Sequence, residues 1–250
     1  MNKLITVILL LAFTLSASAQ QKPAAKKQPA KAPKKAAAVL VSTKTASAPA
    51  ESKEPDRTAK IIEGLKAWDA SLETLKADFT QEVNFKEAGL KQSIEGTLRY
   101  VKPNLLRIEH TKPARQVVVT DKTAIWIYKP EDKQAVRTGW EAWRRAQDQN
   151  FSGILDFGNY SALAARNITT ASGGGNGEPF KVTFTPRTGG SYTLTLTLSA
   201  TDYFPLEAEL LVDSTVIKTR LTAVEKNGQV DREIFKFSPP KGVEVLEFKN

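Results

Sequence analysis

Cysteine is absent from the 250 residues. That excludes a disulfide framework and thiolate metal sites, and it excludes an anchor built on a lipid-modified N-terminal cysteine. Histidine occurs once, as His110 beside Glu109. Any histidine-based serine or cysteine triad would have to use that residue, and no G-x-S-x-G elbow accompanies it. His110 therefore reads as a surface or edge residue of a strand. The acidic residues are scattered and lack the D-x-D-x-D-G spacing of a calcium loop. The glycine-rich Ser172–Gly177 is followed by neither the lysine nor the helix start of a phosphate loop. Glu207 and Glu209 alternate along one strand face, which reads as a solvated face. The expectation is a protein without catalytic residues, without a cofactor and without a metal.

Long apolar runs are missing beyond the N-terminus. Met1–Ala19 has a basic start at Lys3, an apolar core from Leu4 to Leu15 and the small residues Ala17-Ser18-Ala19. This is the pattern of a secretory signal peptide. Its core is shorter than the ~20 residues needed to span a membrane. Large apolar residues are also scarce from residue 20 to 57, which is rich in lysine, alanine and proline. Such a segment cannot bury enough surface to offset chain entropy and is expected to be a disordered linker. Of the net charge of +9, +7 lies in residues 20–60, whereas residues 61–250 hold 25 basic and 24 acidic side chains. The fold itself is thus nearly neutral, which argues against nucleic-acid binding. The basic tail reads first as a solvating spacer, second as a segment making transient contact with an anionic membrane surface.

What is present is two-residue alternation. Between Gly96 and Pro130, Leu98 and Tyr100 share a face, then Leu106 and Ile108, Val117 and Val119, and Ile125 and Ile127. That period suits strands with one buried side. Pro103 and Pro113 interrupt the runs, because proline cannot donate to a ladder. Trp126 and Tyr128 point away from Ile125 and Ile127. Asp121-Lys122 sits at a hairpin position, and Lys133–Thr138 reads as a further short strand. Four more alternating runs lie between Phe180 and Lys226, and Asn227-Gly228 reads as a turn. Phe235 and Phe237 are expected to form the last short strand. Helical spacing appears twice. Ile61, Ile62, Leu65, Trp68, Leu72 and Leu75 form one stripe with Asp56 as its cap, and Trp68 reads as core packing. Residues 140–166 carry Trp140, Trp143, Phe151, Leu155 and Phe157, with glycines that favour short helices. The fold class is mainly β with helices (α+β). About ten strands form a curved antiparallel sheet, an incomplete barrel closed by an N-terminal helix and a helical lid over residues 58–250.

Four pieces carry a resemblance. They are A-D-F-T-Q-E-V at Ala77–Val83, G-T-L-R-Y-V-K-P-N-L-L-R-I at Gly96–Ile108, V-V-V-T-D-K-T-A-I-W-I-Y-K-P at Val117–Pro130, and F-K-F-S-P-P-K-G-V-E-V at Phe235–Val245. In this order they resemble the outer-membrane lipoprotein carrier family, LolA. The resemblance implies an apolar cavity that receives the acyl chains of lipoproteins in the periplasm. It also implies cargo taken from an inner-membrane ABC transporter and passed to an outer-membrane receptor. The missing cysteine favours carrier over receptor, and a monomer is expected. Leu98, Tyr100, Leu106 and Ile108 are the expected cavity wall, and Phe151, Leu155 and Phe157 the expected lid contacts. Lys102 stands where the family usually has arginine as a lid latch; lysine lacks the planar fork of arginine. Lys122 replaces a usual turn glycine. The competing reading is an envelope sensor or scaffold of the same fold that hands no cargo on.

Overall fold

The computed structural model describes residues 54–120, 123–140, 159–188 and 192–248. The first helix, α1 (Glu54–Ser71), follows from its stripe: Ile61, Ile62, Leu65 and Trp68 are all buried. It begins four residues before the expected domain start. Asp56 therefore lies inside the first turn rather than at the cap, 3.4 Å from Lys60 one turn on. Leu75, read as the end of the stripe, belongs instead to the first strand, where it is fully buried.

Six strands follow: β1 (Thr74–Phe85), β2 (Leu90–Val101), β3 (Leu105–Lys112), β4 (Gln116–Thr120), β5 (Ala124–Lys129) and β6 (Gln134–Gly139). A short helix, α2 (Tyr160–Arg166), leads into β7 (Asn167–Gly173), β8 (Phe180–Pro186), β9 (Tyr192–Leu198), β10 (Pro205–Val212) and β11 (Thr215–Lys226). After a 3-10 turn at Arg232–Phe235 comes β12 (Glu244–Phe248). All twelve strands form one sheet in the order β12-β6-β5-β4-β3-β2-β1-β11-β10-β9-β8-β7. The sheet is open, with β12 and β7 at its edges.

Two strands exceed the sequence expectation, and both have a physical reason. β7 reads N-I-T-T-A-S-G, and its one large apolar residue, Ile168, is 52% exposed. No apolar alternation marks it; pairing with β8 makes it a strand. At the C-terminus the expected Phe235–Phe237 strand is replaced by the turn. Asp231 accepts a hydrogen bond from the backbone N–H of Glu233 at 2.9 Å. Phe235 then drops into a cluster with Val101, Leu105 and Val119. Phe237 packs on Trp126 and Tyr128 with ring centroids 5.3 and 5.5 Å away. Trp126 and Tyr128 thus do face away from Ile125 and Ile127, onto an outer core built by this segment. Having crossed the outer face, the chain adds β12 parallel to β6, the one parallel pair in the sheet. A parallel strand needs such a long crossover.

The register joins the inward residues into one apolar face. One row runs Phe184, Leu194, Leu210, Ile217 and Val83 across five strands. Another runs Ala77, Leu98, Ile108, Val118 and Ile127. The outward side is charged: Glu209 lies 2.8 Å from Lys218, and Glu207 pairs with Arg220. At Gly96 the absence of a side chain is a requirement. A Cβ there would stand 2.3 Å from the carbonyl oxygen of Glu109 and 2.7 Å from the Phe79 ring. Glycine lets that ring lie across the strand.

α1 is tied to the sheet at both ends. Near its start, Thr58 Oγ1 accepts the N–H of Ala171 at 3.2 Å, and Arg57 donates to the carbonyl of Gly173. Both bonds satisfy backbone groups of the edge strand β7. At its end, Asn227 does the work from a left-handed turn position (φ 56°). Its Oδ1 accepts from Glu73 N at 2.8 Å, and its Nδ2 donates to Ser71 O at 3.1 Å. Asparagine tolerates that backbone conformation better than most residues.

Candidate functional site

The four expected wall residues form a two-by-two block. Leu98 opposes Ile108, and Tyr100 opposes Leu106, across β2 and β3. Direct partners in an antiparallel pair share a face, so all four look inward. Leu98 is fully buried, Tyr100 and Ile108 are buried, and Leu106 is half-buried. Ile127 and Thr120 extend the block onto neighbouring strands. Tyr100 directs its hydroxyl to the carbonyl of Pro103 at 3.3 Å, so its ring presents an apolar body to the wall.

Lys102 lies just past β2 and reaches α1. Its Nζ donates to the carbonyl of Ala70 at 2.7 Å and stands 3.9 Å from Glu73. Its backbone N–H donates to Glu73 O at 2.9 Å. Carbonyls in the last turn of a helix lack intrahelical partners, and a cation there is favoured by the helix dipole. Lysine thus satisfies one such group by a single bond, where arginine would offer a fork. Phe151, Leu155 and Phe157 lie outside the described residues, as do Trp143, Asp121 and Lys122.

α1 and α2 pack together and against β7. Trp68 meets Phe204 edge-on at 5.3 Å and Tyr160 at 6.2 Å, so its core reading holds. The buried Asp69 accepts the N–H of Tyr160 at 3.3 Å, fixing the start of α2 against α1. Between α1, α2 and β7 runs a groove of about 700 Å³, lined by Thr58, Ile62, Lys66, Ala164 and Thr169 among others. Its size falls within the range of small-molecule sites. Small side chains on α2 create it, and nothing in the sequence alternation announced it.

His110 departs from its surface reading. It is half-buried on the inner face, 5.8 Å from Phe79 in an edge-on ring contact. Burial pushes its imidazole below the ordinary value of 6.5. The uncharged Phe79 and Gln116 flank it, and Lys112, two residues along, is held by Glu95 at 2.9 Å. The folded protein therefore prefers neutral His110. Its contribution to stability is complete above about pH 6.5, where the unfolded chain is neutral too. It falls as the unfolded chain gains the proton first, and stops falling below the folded value. We expect wild type to lose more stability than His110→Gln between pH 7.5 and 5.5 in denaturant titrations. Parallel curves would contradict this.

A LolA superfamily protein from Nitrosomonas europaea aligns with a TM-score of 0.40 at 10% identity, covering 72% of this chain and 97% of that one. The outer-membrane lipoprotein carrier protein of Neisseria meningitidis serogroup B is 28% identical over 193 residues, 75% of this chain and 87% of the relative. That of Dechloromonas aromatica is 31% identical over 193 residues, 75% of this chain and 88% of the relative. The model of the family described as outer membrane lipoprotein carrier protein LolA matches residues 70–238. With that span matched, this chain belongs to the LolA family.

Proposed function

We propose that this protein carries lipoproteins across the periplasm with their acyl chains laid against the inner face of the sheet. In this reading it takes cargo from an inner-membrane ABC-type transporter and yields it to an outer-membrane acceptor. The observation that carries the reading is the Leu98, Tyr100, Leu106 and Ile108 block, a buried apolar wall on the inner face of an open sheet. Each acyl methylene removed from water is worth ~0.8 kcal/mol, so multiply acylated cargo does not travel unaided. A carrier must bind that surface and still release it. A wall already buried in the free protein meets both needs, because closing the helices over it competes with the cargo. Lys102 sets the balance by holding the end of α1. Phe151, Leu155 and Phe157 complete the cover as lid contacts. The basic tail serves first as a solvating spacer, with transient contact with anionic membrane surfaces as its second reading.

The test is release of a triacylated lipoprotein from inner-membrane vesicles containing the transporter into the soluble fraction. Wild type is expected to recover it as a soluble complex. Lipoprotein left wholly in the vesicles would end the carrier reading in favour of a sensor or scaffold. Lys102→Leu removes one partly exposed charged hydrogen bond, about 1 kcal/mol, or about 2–4 °C in Tm for a domain of this size. Its main effect is expected in transfer: weaker closure competes less with cargo, so lipoprotein leaves the variant more slowly for acceptor membranes. Transfer at the wild-type rate would remove Lys102 from the cycle.

A further inference from the structure

One row of the inner face ends in two polar side chains. Across four strands it runs Phe79, Gly96, His110 and Gln116, each the direct partner of the next. Gln116 is 7% exposed, and its side-chain carbonyl oxygen is buried with no hydrogen-bond partner among the described residues. Buried polar atoms in folded proteins are nearly always paired, so an orphan asks for an explanation. Its surroundings sharpen the question. The next row inward is Leu98, Ile108, Val118 and Ile127, entirely apolar. A glutamine is an odd choice for a wall that only has to be greasy.

His110 supplies the second half. It is directly opposite Gln116, and the Phe79 ring braces it from the other side through the space left by Gly96. A neutral imidazole has one donor and one acceptor nitrogen, and the amide oxygen of Gln116 is an acceptor only. Together they form a short polar ledge at one end of the apolar wall. Its unmet need is for a donor.

We propose that this ledge binds a secondary amide N–H at the junction where an acyl chain joins a polypeptide. The N–H donates to Gln116 Oε1, and the amide carbonyl accepts from whichever His110 nitrogen carries the proton. The chain then runs along β3 and β4 from Gln116 past Ile108 and Val118 toward Leu106 and Thr120. This assignment rests on the carrier reading and gives that site its polar specificity: an acylated peptide is preferred over a plain ester lipid of equal length.

The probes are N-palmitoyl-alanine methyl ester and its isostere, palmitoyl-lactate methyl ester, which differ in one N–H replaced by oxygen. Binding to the full-length protein is measured by calorimetry. Wild type is expected to bind the amide about tenfold more tightly than the ester, the worth of one hydrogen bond to an otherwise unpaired acceptor. In Gln116→Leu, the two probes are expected to bind alike. Replacing a side chain whose buried oxygen is unpaired by an apolar group of similar size need not destabilise, and a melting curve on the variant checks that it folds. Equal binding of both probes to wild type overturns the ledge and leaves the carrier reading standing. Binding of neither probe defeats both. The wild-type comparison is decisive even if the variant does not fold.

Discussion

Phe235→Ala is expected to cost about 3–5 kcal/mol in unfolding free energy, although the residue lies on the outer side of the sheet, on the face opposite the wall. Phe235 is 2% exposed among Val101, Leu105 and Val119, with Trp126, Val230, Ile234 and Phe237 packed around them. The strands beneath it are fixed by their ladders, so they cannot collapse into the space left behind. The loss should reach further than the cavity. Arg107 donates to the carbonyl of Ile234 at 2.8 Å, and this segment is the crossover that delivers β12 to its edge. Urea titration followed by tryptophan fluorescence measures the loss. A cost under about 1 kcal/mol would mean that the outer cluster is a surface contact rather than a second core.

The next largest effect is expected at Leu98→Ala, about 2–5 kcal/mol. Leu98 is fully buried and sits between Ala77 on β1 and Ile108 on β3, both held in register. Ala77 is too small to fill the gap, which favours the upper half of that range. Leu90→Ala is the control: Leu90 starts the same strand but is 54% exposed, and a change within about 0.5 kcal/mol is expected. Similar costs at both positions would contradict the inward orientation of the block.

Much of this architecture was legible in the chain because strand alternation is a local signal. Leu194, Leu196 and Leu198 alternate with threonines and are fully buried, and the wall block falls where the alternation of β2 and β3 put it. The parts that escaped depend on partners distant in sequence. Ile168 looks outward, so β7 carries no pattern of its own; its pairing with β8 makes it a strand. Phe235 and Phe237 do alternate, yet the outer cluster takes Phe235 out of the sheet. Within the site, the same division holds. The inward register of Leu98, Tyr100, Leu106 and Ile108 was readable, and the resemblance marked Lys102, whereas its bond to the end of α1 depends on the folded chain. The Gln116 and His110 ledge was not readable, because it exists only once β3 and β4 are paired. Asn227 was read as a turn residue, which it is, but its bonds to Ser71 and Glu73 connect positions more than 150 residues apart.

The two attachments of α1 carry a mechanical consequence. Its start is bonded to β7 and its end both to Asn227, just past β11, and to Lys102, just past β2, four and six interstrand spacings away in the sheet. Six spacings amount to about 29 Å of sheet, whereas the helix from Thr58 to Ser71 covers about 20 Å. The helix is a bowstring and the strands between its anchor points are the bow. With the string cut at either end the bow is expected to flatten, and under the carrier reading proposed above admission of a guest is expected to widen the arc, a change in overall dimensions that small-angle X-ray scattering would register.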